Sequence, residues 1–301
     1  MRNFAIFIGL IALGFAGIAV LGYPAWLLIS PFLDQPKFHR IASRIGMLVL
    51  VVGFVLIARR LKVADRQSMG YGLAFKPFVT ELSKAIFVGA LLMMPALATM
   101  IAFDMRQSVG VPLSPYLWFR LALSGIVTGL TVAFIEETFL RGAMHTAIAR
   151  ESGTRAAITL TALVYAATHF IGSYRVAAAD VNAGSGLDLL AHALERFTHP
   201  LAFIDAFACL VAVGVLLGMV RALTGNIAAC IGLHTGWVAV IYVVRETSER
   251  RPGGAADWLL SNYNGFIGWM VLAWTLAIGG ALYWWYAGKK RGTDLIVDDV
   301  A

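Results

Sequence analysis

Charge is scarce in this sequence. Of 301 residues, 14% are Asp, Glu, Lys or Arg and 59% are hydrophobic, whereas a soluble domain carries roughly 25% charged residues. That shortage excludes an ordinary globular chain. Cysteine is rarer still. Cys209 and Cys230 both fall inside apolar runs, so they read as buried small residues rather than a disulfide framework. There is no H-E-x-x-H helix, which removes the usual signature of a zinc hydrolase, and no G-x-S-x-G elbow to mark a serine nucleophile. Neither an internal repeat nor a low-complexity segment is visible. The net charge of +7 is not a nucleic-acid footprint, because the basic residues sit at the ends of apolar runs, where membrane topology places them. No nucleic-acid partner is expected.

What the chain has in abundance is apolar sequence in lengths near the 20 residues a helix needs to cross hydrocarbon. Eight such runs can be read: Phe4–Tyr23, Ile45–Ala58 (longer if it starts near Ile41), Ala85–Phe103 with Pro95 interrupting it, Leu117–Ile135, Ala156–Ile171, Leu201–Leu223, Ile227–Val244 and Phe266–Tyr286. The expected fold class is therefore all-α, a polytopic membrane protein with about eight transmembrane helices. It reads as one membrane domain over 1–301, with N-terminal helices in 1–116, a core over 117–244 and a C-terminal helix over 266–288. The N-terminus resembles a signal peptide, but its apolar run is long and further runs follow, so an uncleaved first helix is expected. The stretch 172–200 is too polar to span, and an amphipathic piece within it, Leu187–Phe197, reads as a surface helix. Trp284-Trp285-Tyr286 followed by Lys289-Lys290-Arg291 reads as an interfacial belt with a cationic anchor. With both termini inside, the larger share of the 24 Lys and Arg residues falls on the inner side, as the positive-inside rule asks. The location expected is a bacterial inner membrane, with the N- and C-termini in.

Against that background, TVAFIEETFLR at 131–141 stands out. It sets Glu136 and Glu137 at the end of an apolar run, and a charge at bilayer depth costs roughly 3 kcal/mol on insertion scales, so such residues usually mark a site. Adjacent helical residues point about 100° apart. Arg141 follows Glu137 by four residues, the spacing at which the side chains meet. The bland reading is a solvated helix end. Of six histidines, His169 and His234 lie within apolar runs. Three chemistries use two carboxylates with two histidines in a membrane. In general-base hydrolysis, two neighbouring carboxylates cannot both ionise easily, so one can accept a proton from water that a histidine positions, while the other histidine donates to an oxyanion. In zinc hydrolysis, two His and a Glu are ligands. In a transporter, the same groups relay protons, but broken, duplicated helices are expected there and none is visible.

The motifs carry a resemblance. Glu136-Glu137-Thr138-Phe139-Leu140-Arg141 resembles the E-E-x-x-x-R motif of the CPBP family, the intramembrane glutamic proteases that include the Rce1-type CAAX endopeptidases and bacteriocin-processing members of the Abi group. Tyr165-Ala166-Ala167-Thr168-His169 is similar to the family's F-x-x-x-H, with Tyr in place of Phe. His234-Thr235-Gly236-Trp237-Val238 is similar to H-x-x-x-N, with Val238 where the Asn belongs. The three occur in family order and cover the core from about Leu117 to Val244. The resemblance implies a peptidase without cofactor or metal, acting on a membrane-associated protein or peptide within the lipid bilayer. It implies that Glu136 activates water with His169 positioning it, that Glu137 and Arg141 form an orienting pair, and that His234 donates to the oxyanion. Val238 removes a second donor, for which Thr235, Asn226 and Tyr242 are the nearby replacements. The alternatives are a non-catalytic immunity or scaffold protein of the same kind, or a transporter.

Overall fold

The computed structural model describes residues 1–110, 114–171 and 174–298, with side chains through Tyr286. Nine α-helices carry the described chain. They are α1 (Arg2–Ile29), α2 (Phe38–Ala58), α3 (Phe75–Ala102), α4 (Pro115–Glu137), α5 (His145–His169), α6 (Ser185–Glu195), α7 (Ile204–Thr224), α8 (Ala228–Thr247) and α9 (Trp269–Asp298). A π-helical turn, Thr138–Met144, joins α4 to α5. Helices dominate because hydrocarbon offers a backbone no partners, so each apolar run must bond internally. The chain is an all-α, polytopic integral membrane protein.

Among the described residues, six helical runs are long and apolar enough to cross a membrane. The fourth and fifth expected spans are joined in one 55-residue run, Pro115–His169. The eighth, in α9, is diluted by Gly279, Gly280 and its Trp-Trp-Tyr end. Inside the long run the chain reverses at Gly153, whose φ of 84° is open to glycine at no steric cost. The reversal sets Arg141 against Tyr165, the guanidinium 4.7 Å from the ring centre. Other boundaries shift too. α2 begins at Phe38, because Phe38, Ile41 and Ala42 are buried in a cluster with Ala25 and Trp26 of α1. Pro95, expected to interrupt its run, lies inside α3, as Pro24 lies inside α1, which membrane helices tolerate when neighbours re-satisfy the backbone.

Small residues set the packing, since lipid tails give apolar side chains no reason to prefer each other. α8 is clamped between α3 and α4. A Cβ on Gly89 of α3 would lie 2.6 Å from the Leu233 carbonyl oxygen, and one on Gly129 of α4 would lie 2.8 Å from that of Thr235. These close approaches fix His234, which sits between Leu233 and Thr235. At the far ends of α3 and α8, two short strands that the sequence did not announce, β1 (Arg106–Ser108) and β2 (Ser248–Arg250), pair antiparallel. The amphipathic α6 lies on α1, with Gly186 against the Ile18 and Ala19 carbonyls and Leu189 in the α1–α2 cluster.

Candidate functional site

Glu137 is fully buried at the end of α4. Its Oε1 accepts from Nη1 of Arg141 at 3.2 Å and from Nδ1 of His234 at 2.9 Å. The i,i+4 meeting expected from sequence occurs where α4 passes into the π turn. Arg141 is also fully buried and donates from Nη2 to the Gly214 carbonyl of α7 at 3.2 Å. A π turn shifts the helical hydrogen-bond pattern, and the Arg141 carbonyl accepts from Nε of Arg221 at 3.0 Å. The loop between α2 and α3 braces the same turn. Tyr71 bonds to Thr138 at 2.5 Å, Thr146 donates to the Ser68 carbonyl at 2.7 Å, and Gly142 lies so close to the Met69 carbonyl that a Cβ would stand 2.7 Å from it.

Glu136 takes the other direction, as neighbouring positions on a helix must. It is half-buried and makes no hydrogen bond to any described residue, and its Oε2 is buried without a partner. It lines a cavity of about 730 Å³ between α1, α2, α4 and α5, together with apolar side chains such as Phe15, Leu50, Phe139 and Val164. Among the described lining residues it is the only ionisable one.

The two histidines are oriented by their Nδ1 atoms. Nδ1 of His169 lies 2.8 Å from the Tyr165 carbonyl. A carbonyl only accepts, so Nδ1 carries the proton and Nε2 of the neutral ring is left as an acceptor. The same logic applies to His234, whose Nδ1 faces the Glu137 carboxylate. Its Nε2 donates only when the ring holds both protons, a condition the sequence did not reveal. Tyr165, at 3% exposure, joins the two. Its ring lies 4.5 Å from that of His169 and 6.0 Å from that of His234, edge-on in both cases.

The structure therefore brings Glu137, Arg141 and His234 together by direct bonds and His169 to them through Tyr165. No described bond joins Glu136 to either histidine. Asn226 is committed to Glu81, Thr224 and the start of α8, and the Thr235 hydroxyl donates to the Ile231 carbonyl at 2.7 Å, so neither is free to replace a donor at Val238. Cys209 and Cys230 are free and buried, as expected. Sequence reasoning missed Arg221 and Gly214, which hold the π turn and Arg141. A cation within the apolar run of α7 was the available signal for Arg221. Among the described residues no three His, Cys, Asp or Glu side chains cluster as metal ligands would.

No curated protein and no solved structure matches the chain. Residues 118–240, which hold all five expected site residues, match the family described as type II CAAX prenyl endopeptidase Rce1-like. By that match the core of this membrane protein is similar to the Rce1-like CAAX prenyl endopeptidases.

Proposed function

We propose that the chain is a metal-independent glutamic endopeptidase that hydrolyses a peptide bond in a membrane-associated protein or peptide. The observation that carries this reading is the division of labour between adjacent carboxylates. Glu137 is pinned by Arg141 and His234, whereas Glu136 has no partner among the described residues and faces an apolar cavity. A carboxylate left without a partner at the wall of a cavity is free to accept a proton from a water that enters it. Glu136 takes the proton from a water that Nε2 of His169 helps to hold. The water oxygen bonds to the carbonyl carbon, the carbonyl pair moves to its oxygen, and the C–N bond then breaks as Glu136 returns the proton to nitrogen. His234, held at Nδ1 by Glu137, donates from Nε2 to the oxyanion when its ring holds both protons. The cavity beside Glu136 suits the apolar portion of a lipidated or membrane-inserted substrate. We read the chain as a single membrane domain of a bacterial inner membrane, and the charge asymmetry of its loops supports placing both termini in the cytoplasm.

The test uses purified full-length protein and two quenched peptides, one farnesylated with a CAAX end and one carrying a single apolar span. Wild type cleaves at least one of them. Glu136→Gln lowers the rate by about 10²–10⁴-fold, the usual worth of a positioned base, and EDTA changes nothing. Equal rates for wild type and Glu136→Gln sink the reading. They favour a non-catalytic relative, for which Val238 gives the specific reason. Loss of activity in EDTA and its return with zinc overturns metal independence.

A further inference from the structure

We propose that the Tyr165 hydroxyl is a catalytic hydrogen-bond donor to the oxyanion. The inference rests on the peptidase reading above and deepens it. Other hydroxyls in this bundle are spoken for: those of the buried Thr161, Thr235 and Thr275 each donate to a helix carbonyl, and among half-buried tyrosines Tyr71 bonds to Thr138 and Tyr263 donates to the His169 carbonyl at 2.6 Å. The Tyr165 hydroxyl bonds to no described residue, although the side chain is 3% exposed. The hydroxyl oxygen itself is not sealed from solvent, so it can meet a water or a group that enters the site.

Counting donors leads to the same place. A tetrahedral intermediate needs donors aimed where charge develops. The Nδ1 protons of His169 and His234 are held by the Tyr165 carbonyl and by Glu137. Arg141 is fully buried, out of reach of a peptide, and bonded to Glu137 and Gly214. Val238, one helical turn beyond His234, carries no donor. Among neutral side chains at the two imidazoles, that leaves Tyr165, whose ring is held edge-on to both and capped by the Arg141 guanidinium. Tyr165 keeps its proton throughout. It only strengthens its bond as the carbonyl oxygen becomes negative, while the proton traffic stays with water, Glu136 and the leaving nitrogen.

Tyr165→Phe keeps the ring and every ring contact and deletes one hydroxyl. With the peptide that wild type cleaves, we expect kcat to fall about 10²–10³-fold, the worth of one oxyanion donor, with KM and the melting temperature unchanged. Tyr165→Phe/Val238→Asn, which places an amide on the face of α8 that carries His234, should recover at least about 10-fold of the loss. A Tyr165→Phe rate within about 3-fold of wild type overturns the proposal. So does a loss that Val238→Asn leaves untouched and that comes with a lowered melting temperature, which assigns Tyr165 a structural role. Glu136→Gln, run in parallel, separates the two failures. If it cleaves like wild type, the peptidase reading falls and takes this one with it. If it is dead while Tyr165→Phe is fully active, only the Tyr165 assignment falls.

Discussion

Replacing Arg141 with alanine leaves the Glu137 carboxylate in a place built for a pair. Both side chains are 0% exposed and their charged atoms stand 3.2 Å apart. Removing one member of a buried pair costs about 3–5 kcal/mol, mostly because the survivor stays desolvated and uncompensated. The Gly214 carbonyl also loses its donor, and Tyr165 loses the cation over its ring, each worth about 1 kcal/mol. His234 still donates to Glu137, which offsets part of the loss, so about 3–5 kcal/mol is the figure we expect for Arg141→Ala. That is a large share of the 5–15 kcal/mol typical of folded proteins. Removing both charges, in Glu137→Gln/Arg141→Met, takes away the stranded ion. The double variant should then cost at least about 2 kcal/mol less than the sum of its single changes. The assay is equilibrium unfolding of the full chain in mixed micelles by SDS titration, read by fluorescence of its 8 tryptophans. An Arg141→Ala cost under about 1 kcal/mol, or a cycle additive to within about 0.5 kcal/mol, refutes the claim that this pair is an interdependent buried unit.

The glycine contacts predict that Gly129→Val, whose side chain would press on the Thr235 carbonyl, displaces α8 and with it His234. A shift of about 1 Å at a reacting group can cost 10²-fold in rate, while Gly279→Ala, which meets nothing within 4 Å, should be neutral; equal activity of the two variants refutes the clamp. In the loop after β2, the hydrogen bond from Arg250 and the Gly253 backbone bond hold the Asp257 carboxyl below the usual range. Its folded-state affinity for protons is thus lowered, so the pair stabilises the loop above the ordinary carboxylate value of about 3.9 and stops doing so as pH falls through the lower folded value. Hydrogen exchange in 251–265 should accelerate across that window in wild type and show no such step in Asp257→Asn. An identical step in both locates the titration elsewhere.

The sequence alone determined the solvent and the ingredients. Long apolar runs admit few backbone solutions in hydrocarbon, so the all-helical membrane fold followed from composition and run length. Glu136, Glu137, Arg141, His169 and His234 were legible because ionisable groups at membrane depth are costly and therefore conspicuous. The four-residue step from Glu137 to Arg141 was readable because helical geometry is local. What sequence could not determine was anything that depends on which helices touch. That His234 bonds to Glu137 follows from glycines that bring α4 and α8 together across about a hundred residues of chain. The reversal at Gly153, which turns the chain back between two expected spans, rests on a single backbone dihedral. The divergence of Glu136 and Glu137, about 100° apart, is implied by helical pitch. Which of them would be pinned and which left free was decided by Arg141, His234 and the cavity walls supplied by α1 and α2, and these exist only once the chain has packed.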